Sequence, residues 1–596
     1  MQYDLKIVNG TVYDGLGGEG VKADIAVKDG IIVEIGACDG VASDTLDAAG
    51  HIVTPGFIDL HTHYDGQVSW DDKLEPSSRH GVTTAVMGNC GVGFAPCRPD
   101  DHNKLIRLME GVEDIPGSAL AEGLTWDWES FPDYMNAIDF PHAIDFAVQV
   151  VHDPLRVFVM GDRAVSEEAA TKDDIEAMKA LAQEAMEAGA VGISTGRTDV
   201  HRTADGEWTP SSEARVDELM GIASAIEHLD YGVLQLVNDF NLERGVDQFD
   251  AEFDIVEAFA DAGGKDKGFS LSLMQRDFAP NQWRQIIERV DQANQSGHNM
   301  HMQVAPRGIG VITGLKCTFH PFIGHPSYKA IAHRPLCERV EIMADPAFKE
   351  KLLRESPDKV AGDGTPVPPI VDMVLAIIDQ VAFKLFLLGD TPEYEQPVER
   401  SIGAAAQAKG MSALSEIYDI LLQDGGGQLI YFPIYNYTDF TYDNVLEMMQ
   451  HPKALMGLSD GGAHVGTICD GSFPTYLLSY WTRDRINRGM AGFTITEAVQ
   501  KLTSDVASYA GMHDRGSLSV GKRADINVID HQKLAISAPH LVNDLPAGGQ
   551  RLMQDSMGYK ATFVAGVQII KDSQLLDARP GRLVRMGQGQ LKVAAE

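Results

Sequence analysis

The run TPGFIDLHTHYDG at 54–66 ends an apolar stretch with two histidines, His61 and His63, separated by one residue. Residues i and i+2 of a strand point to the same side, so both imidazoles can face one metal ion. Paired imidazoles favour zinc, and a catalytic zinc site needs at least one more protein ligand and a position open to water. GLSDGGAH at 457–464 supplies that ligand type in Asp460, a carboxylate that can also take a proton from activated water. MGNCGVG at 87–93 sets Cys90 among glycines after another apolar run, where a thiolate can join the same ion. Each feature has an ordinary alternative: strand-end histidines bonded to backbone, an aspartate turn before Gly461-Gly462, an inert cysteine. Together they point to metal-assisted hydrolysis with Asp460 as both ligand and general base.

Such residues must be carried to one place by a regular scaffold. Eight apolar runs of β type alternate with helical stretches: GFIDLHTH (56–63), TTAVMGN (83–89), DFAVQVVHD (145–153), AVGIST (190–195), GVLQLVN (232–238), GFSLSLMQ (268–275), NMHMQVAP (299–306) and KALMGLSDGG (453–462). The pattern predicts an α/β chain folded as a (β/α)8 TIM barrel, whose strand ends form the mouth where chemistry is done. Between runs, Ile175, Met178, Leu181 and Met186 recur at helical spacing, a stripe that serves as core. The seventh and eighth runs stand roughly 150 residues apart, too far for a barrel connection, which predicts an insertion at 307–450 over the mouth. Its segments HPFIGHPSYKAIAHRP and QLIYFPIYNYTDFTYD are aromatic and proline-rich, suiting a lid or a subunit interface. LAEGLTWDWESF at 120–131 is a tryptophan-bearing loop suited to lining a pocket. Both chain ends carry short alternating strands, with turns expected at Asn9-Gly10 and Asp29-Gly30. They predict a small β-sandwich formed by 1–55 with 505–596, the barrel occupying 56–504.

Composition narrows the partners. The chain has 596 residues with 49 Lys+Arg against 86 Asp+Glu, a formal charge of −37. So acidic a protein is a poor match for nucleic acid or an anionic membrane. It begins MQYDLKIVNG, without a basic and apolar leader, and no window offers 18 uncharged apolar residues. Six cysteines without paired spacing suggest neither a disulfide framework nor a zinc ribbon. A cytoplasmic, homo-oligomeric protein acting on a small molecule is expected.

These motifs resemble the amidohydrolase superfamily, and within it the D-aminoacylase (N-acyl-D-amino-acid deacylase) group. The resemblance runs over nearly the whole chain: TPGFIDLHTHYDGQ, GVTTAVMGNCG, VVHDPLR at 151–157, EAGAVGISTG at 187–196, SDGGAH, and the late HDRGSLSVGKRADINVID. It implies a TIM barrel joined to a β-sandwich, zinc at the strand ends, and hydrolysis of an N-acyl-D-amino acid. His61, His63 and Asp460 fall on one half of the family's metal site, and Cys90 on the thiolate ligand of the other half. The family also ends its fifth and sixth strands in histidine, where this chain reads VLQLVND and SLSLMQ, with Gln235 and Leu273 near the two positions. No lysine ends the fourth run either. One zinc ion is therefore expected rather than two. Either it sits on His61, His63 and Asp460, with or without Cys90, or His152, His301 or His464 rebuild a fuller set. Arg197 and Arg156 are candidates for a substrate carboxylate, while His464 and Tyr64 are candidates for an oxyanion.

Three function classes remain open at this stage. The favoured one is hydrolysis of a non-peptide amide, as in an N-acyl amino acid. The same activated water serves a cyclic amide or lactone hydrolase or a deaminase. A non-catalytic binding or assembly protein on the same fold is the third.

Overall fold

The computed structural model describes residues 2–166, 168–240, 245–361 and 370–587. Eight strands form one parallel sheet in chain order: Phe57–Asp59, Val82–Met87, Asp145–Val151, Gly192–Arg197, Val233–Asn238, Gly268–Leu273, Asn299–Val304 and Ala454–Met456. Every residue of Val82–Met87 and Asp145–Val151 is buried, which is why these strands read as unbroken apolar runs. Beyond the strand ends the sheet closes on itself. Thr62 bridges Gly461 in parallel, the His63 amide donates to the Gly461 carbonyl at 2.8 Å, and the Asp460 amide donates to that of His61 at 3.1 Å. The fold is a (β/α)8 barrel, and its closure brings the first and eighth strand ends together.

Helices cover the outside of the barrel. Lys172–Glu187 starts at Thr171, whose hydroxyl accepts from the Asp174 amide while the Asp174 side chain reaches back, satisfying two helix-end donors. It buries Ile175, Met178, Ala182, Ala185 and Met186, each large side chain contributing about 1.5–3 kcal/mol on leaving water. Leu181 lies at the edge of that face and is only half-buried.

Both chain ends share a nine-stranded sheet, the small β-sandwich domain of the fold. Ile52–Pro55 pairs antiparallel with Ile526–Ile529 and so stitches the two ends together over a core of Leu5, Ile7, Ile25, Val27, Val528 and Phe563. Asp29-Gly30 makes the expected tight turn, with both residues at positive φ. Asn9-Gly10 does not. It lies within the single strand Gln2–Val12, where the pairing register shifts between Ile7 and Gly10, so the pair forms a bulge rather than a turn. A side chain at Gly10 would meet Val53 Cγ2 at 2.5 Å, so close packing explains that glycine.

The insertion between Val304 and Ala454 opens and closes through a two-stranded ribbon, Gly310–Thr313 with Ile430–Pro433. Its helices pack around their own core, including Phe322, Tyr328, Ile417, Tyr418 and Leu421. The Ile312 amide donates to Thr467 in the loop after the eighth strand at 2.6 Å, fastening the ribbon to the mouth. Tyr431, Tyr437 and Tyr442 are fully buried, so the aromatic run at 428–443 is packing rather than exposed surface.

Candidate metal centre

His61 and His63 leave the first strand with their rings 5.3 Å apart, and Thr62 between them turns away to donate its hydroxyl to Val86. Cys90 follows the second strand. Its amide donates to Gln235 Oε1 at 3.0 Å, and its neighbour Gly91 approaches Gly196 so closely that a side chain there would meet backbone at 2.9 Å. The ligand atoms of His61, His63 and Cys90 all lie within 4.8 Å of one another. Cys90 Sγ is 3.2 Å from His61 Nε2. Asp460 Oδ1, from the eighth strand's end, is 3.4 Å from His61 Nε2 and 3.8 Å from His63 Nε2. Cys90, Asp460 and His464 all adopt positive φ, a backbone state that costs energy and concentrates at functional sites.

The surroundings are acidic and largely buried. Burial pushes the carboxyls of Asp59 and Asp65 up to about 6 and about 7, raises Asp460, and holds Glu113 and the Cys90 thiol well above their usual ranges. Burial also lowers His61 to about 4 and holds His63 well below 6.5. Among the described residues no lysine or arginine pairs with Glu113 or Asp460, whose ion-pair partners are histidines. So many buried acids without a cation are costly, and a divalent ion would relieve them. The donor set fits one. Gln303 Oε1 lies 2.6 Å from His61 Nδ1, so that nitrogen carries the proton and the Nε2 lone pair faces Cys90 and Asp460. Gln303 is itself fixed by donating to Ser270 Oγ at 2.9 Å, which also accepts from Tyr509 at 2.8 Å.

Of the remaining expected residues, His464 and Gln235 are at this centre. His464 Nε2 is 3.7 Å from Glu113 Oε2, and Gln235 holds the Cys90 loop through its carbonyl oxygen. Five are not brought there. Tyr64 is buried beside the first strand and donates to Ser77 Oγ at 2.8 Å, so its hydroxyl does not face the ligands. His152 is held between Thr195 Oγ1 at 2.8 Å and Glu218 Oε1 at 3.0 Å. His301 lies two residues before Gln303 on the same strand face, bonded to Asn299 Oδ1 and edge-on to Tyr509, too deep to reach the mouth. Arg197 grips Glu252 with two nitrogens and Ala214 with a third, and Arg156 is spent on Glu218 and three carbonyls. In the tryptophan loop, Trp128 is buried with its indole donating to Phe94, and Trp126 stacks on His102 at 3.9 Å.

Three residues at the centre are not evident from sequence. Glu113 ends the helix His102–Glu113, which no strand-end motif marks. Gln303 could have been found, because alternation along its strand puts it one inward position nearer the mouth than His301. His201, on the loop after the fourth strand, has its imidazole lowered to about 3 by burial and by His464 and His61.

The comparison that decides the family is a model described as the amidohydrolase family, which matches residues 44–291 and 368–570, more than half of the chain. The chain belongs to the amidohydrolase family. An uncharacterized protein of Mycobacterium tuberculosis is 27% identical over 99% of this chain and 94% of its own length. D-aminoacylase of Alcaligenes xylosoxydans xylosoxydans is 36% identical over 37% of this chain and 41% of its own, and N-acyl-D-glutamate deacylase of the same organism 30% identical over 56% and 66%. Among solved structures, N-acyl-D-glutamate deacylase from Bordetella bronchiseptica, complexed with zinc and a phosphonate inhibitor, shares the fold at a TM-score of 0.62 and 23% identity, covering 98% of this chain and 100% of its own. A D-aminoacylase crystal structure gives a TM-score of 0.61 at 22% identity over the same shares. This amidohydrolase is a metal-dependent hydrolase acting on carbon–nitrogen bonds other than peptide bonds. Among the described residues, no helix is long and apolar enough to cross a membrane.

Proposed function

We propose that this amidohydrolase cleaves the amide of an N-acyl-D-amino acid with one zinc ion held by His61, His63 and Asp460, and Cys90 beside them. The observation that carries the reading is the convergence of two imidazoles, a thiol and a carboxylate from three strand ends, with His61 held in the tautomer that frees Nε2. The D configuration rests on the names of the relatives. A divalent ion there would polarise the scissile carbonyl and lower the pKa of water enough to attack at neutral pH. Asp460 takes the proton of the attacking water and hands it to the leaving nitrogen, and burial already raises its proton affinity toward that task. His464, partly open to solvent and 3.7 Å from Glu113, is placed to donate to the oxyanion. The six free cysteines suit a reducing compartment such as the cytoplasm.

The test is a zinc titration of chelator-stripped protein, assayed on paired N-acetyl-D- and N-acetyl-L-amino acids. Turnover of the D series that returns with one equivalent supports the reading. A loaded protein that hydrolyses only cyclic amides or lactones would redirect it to that class, and one that binds no metal and turns over nothing would favour a binding protein.

A further inference from the structure

The two ligand imidazoles are backed by different partners. His61 Nδ1 faces a neutral amide, Gln303, whereas His63 Nδ1 lies 3.1 Å from Glu113 Oε1. Glu113 is 1% exposed, and neither of its oxygens nor His63 Nδ1 meets hydrogen-bond geometry with any group, each other included, so the 3.1 Å approach brings together buried polar atoms that are still unsatisfied. Its second oxygen is 3.7 Å from His464 Nε2. Local structure aims this carboxylate at the mouth. The helix His102–Glu113 is stopped by Asp114 in the left-handed conformation, so Glu113 is its last residue. The Val465 amide then donates to the Glu113 carbonyl at 3.3 Å, tying the helix end to the loop that carries His464.

We infer that Glu113 is a positioning residue that fixes the metal-binding face of His63 and, through its other oxygen, the ring of His464. The inference rests on the zinc reading above. Nδ1 and Nε2 lie on opposite sides of an imidazole ring, and His63 Nε2 is the nitrogen facing Asp460 at 3.8 Å. Glu113 therefore stands behind His63 rather than among the ligands. A carboxylate 3.1 Å away is a small ring rotation from accepting the Nδ1 proton, and that bond would leave Nε2 unprotonated and strengthen it as a donor. Because the acid comes from a helix rather than a strand end, it would add negative charge beside a bound cation without occupying a ligand position. It also joins a ligand to the imidazole best placed at the mouth, so Glu113 bears on both metal affinity and transition-state contacts.

The experiment is zinc competition against a chromophoric chelator for wild type, Glu113→Gln, Glu113→Asp and His464→Gln, with thermal unfolding of each metal-free protein as a check on folding. Glu113→Gln is expected to weaken zinc binding by about 10–100-fold at an unchanged stoichiometry. Glu113→Asp, which keeps the charge one methylene farther back, is expected to recover part of that loss, and His464→Gln to leave zinc affinity within about threefold while lowering kcat. Neither the partial recovery nor the intact unfolding midpoint would follow from a merely structural glutamate. Zinc affinity in Glu113→Gln within about twofold of wild type would overturn this role alone. A wild type that binds no zinc would overturn both this role and the proposed function.

Discussion

Around the barrel rim, the ends of the first, second and eighth strands carry two imidazoles, a thiol and a carboxylate. The fifth and sixth strands carry Gln235 and Leu273, the former hydrogen-bonded to backbone and the latter packed among apolar side chains on the strand face opposite Ser270. Both halves are buried, so exposure does not separate them. What differs is whether a side chain offers a lone pair to the centre. Gln235 turns its carbonyl oxygen to the Cys90 amide, so the fifth strand supports the thiol's loop instead of adding a ligand. A barrel can therefore keep its mouth packed while confining cation chemistry to one side, and a single ion suits that asymmetry.

The comparison breaks first at Asp460. Asp460→Asn is expected to lower kcat/KM by on the order of 10²–10⁴, the worth of a positioned general base, measured at saturating zinc. Next, Gln235→His with Ser272→His, the buried sixth-strand residue on the same face as Ser270, puts imidazoles into the quiet half, and elemental analysis should rise from one ion toward two. A value that stays at one would mean that strand-end imidazoles do not set the count. A smaller effect concerns pH. The Asp65 carboxyl at about 7 lies above its ordinary 3.8, so the folded chain binds that proton more tightly than the unfolded one. Its stabilising contribution is present at low pH and is lost as pH rises through about 7. Metal-free protein should thus lose thermal stability as pH rises from about 4 toward 7, most clearly above about 6.5, and level off beyond, and zinc should suppress the loss. His61, lowered to about 4, acts oppositely below 6.5, where the unfolded chain takes up the proton first. The smallest change is expected for Tyr64→Phe, whose hydroxyl bonds Ser77, with KM within about twofold of wild type.

The barrel was legible because parallel strands covered on both faces leave unbroken apolar runs, and all eight runs became strands. His61, His63, Cys90 and Asp460 were legible for the related reason that chemistry sits where such runs end. The rest of the rim was not. His301 drew notice as an imidazole, yet its strand face meets the centre one position later, at Gln303. Arg197 follows its strand like a substrate ligand, but its partner Glu252 comes from a helix 55 residues away in sequence. Glu113 arrives from a helix end through tertiary packing that no local pattern encodes. Asn9-Gly10 shows the same limit in the sandwich domain, since a neighbouring Val53 rather than local turn chemistry decides its shape.

The most direct test of the central claim is metal content by elemental analysis of wild type, His61→Ala, Cys90→Ala and Asp460→Ala, after exposure to excess zinc and removal of unbound metal. The account predicts about one divalent ion per chain in wild type, lost in the His61 and Asp460 variants and weakened in the Cys90 variant. No bound metal in wild type, or one ion retained in all three variants, would contradict it.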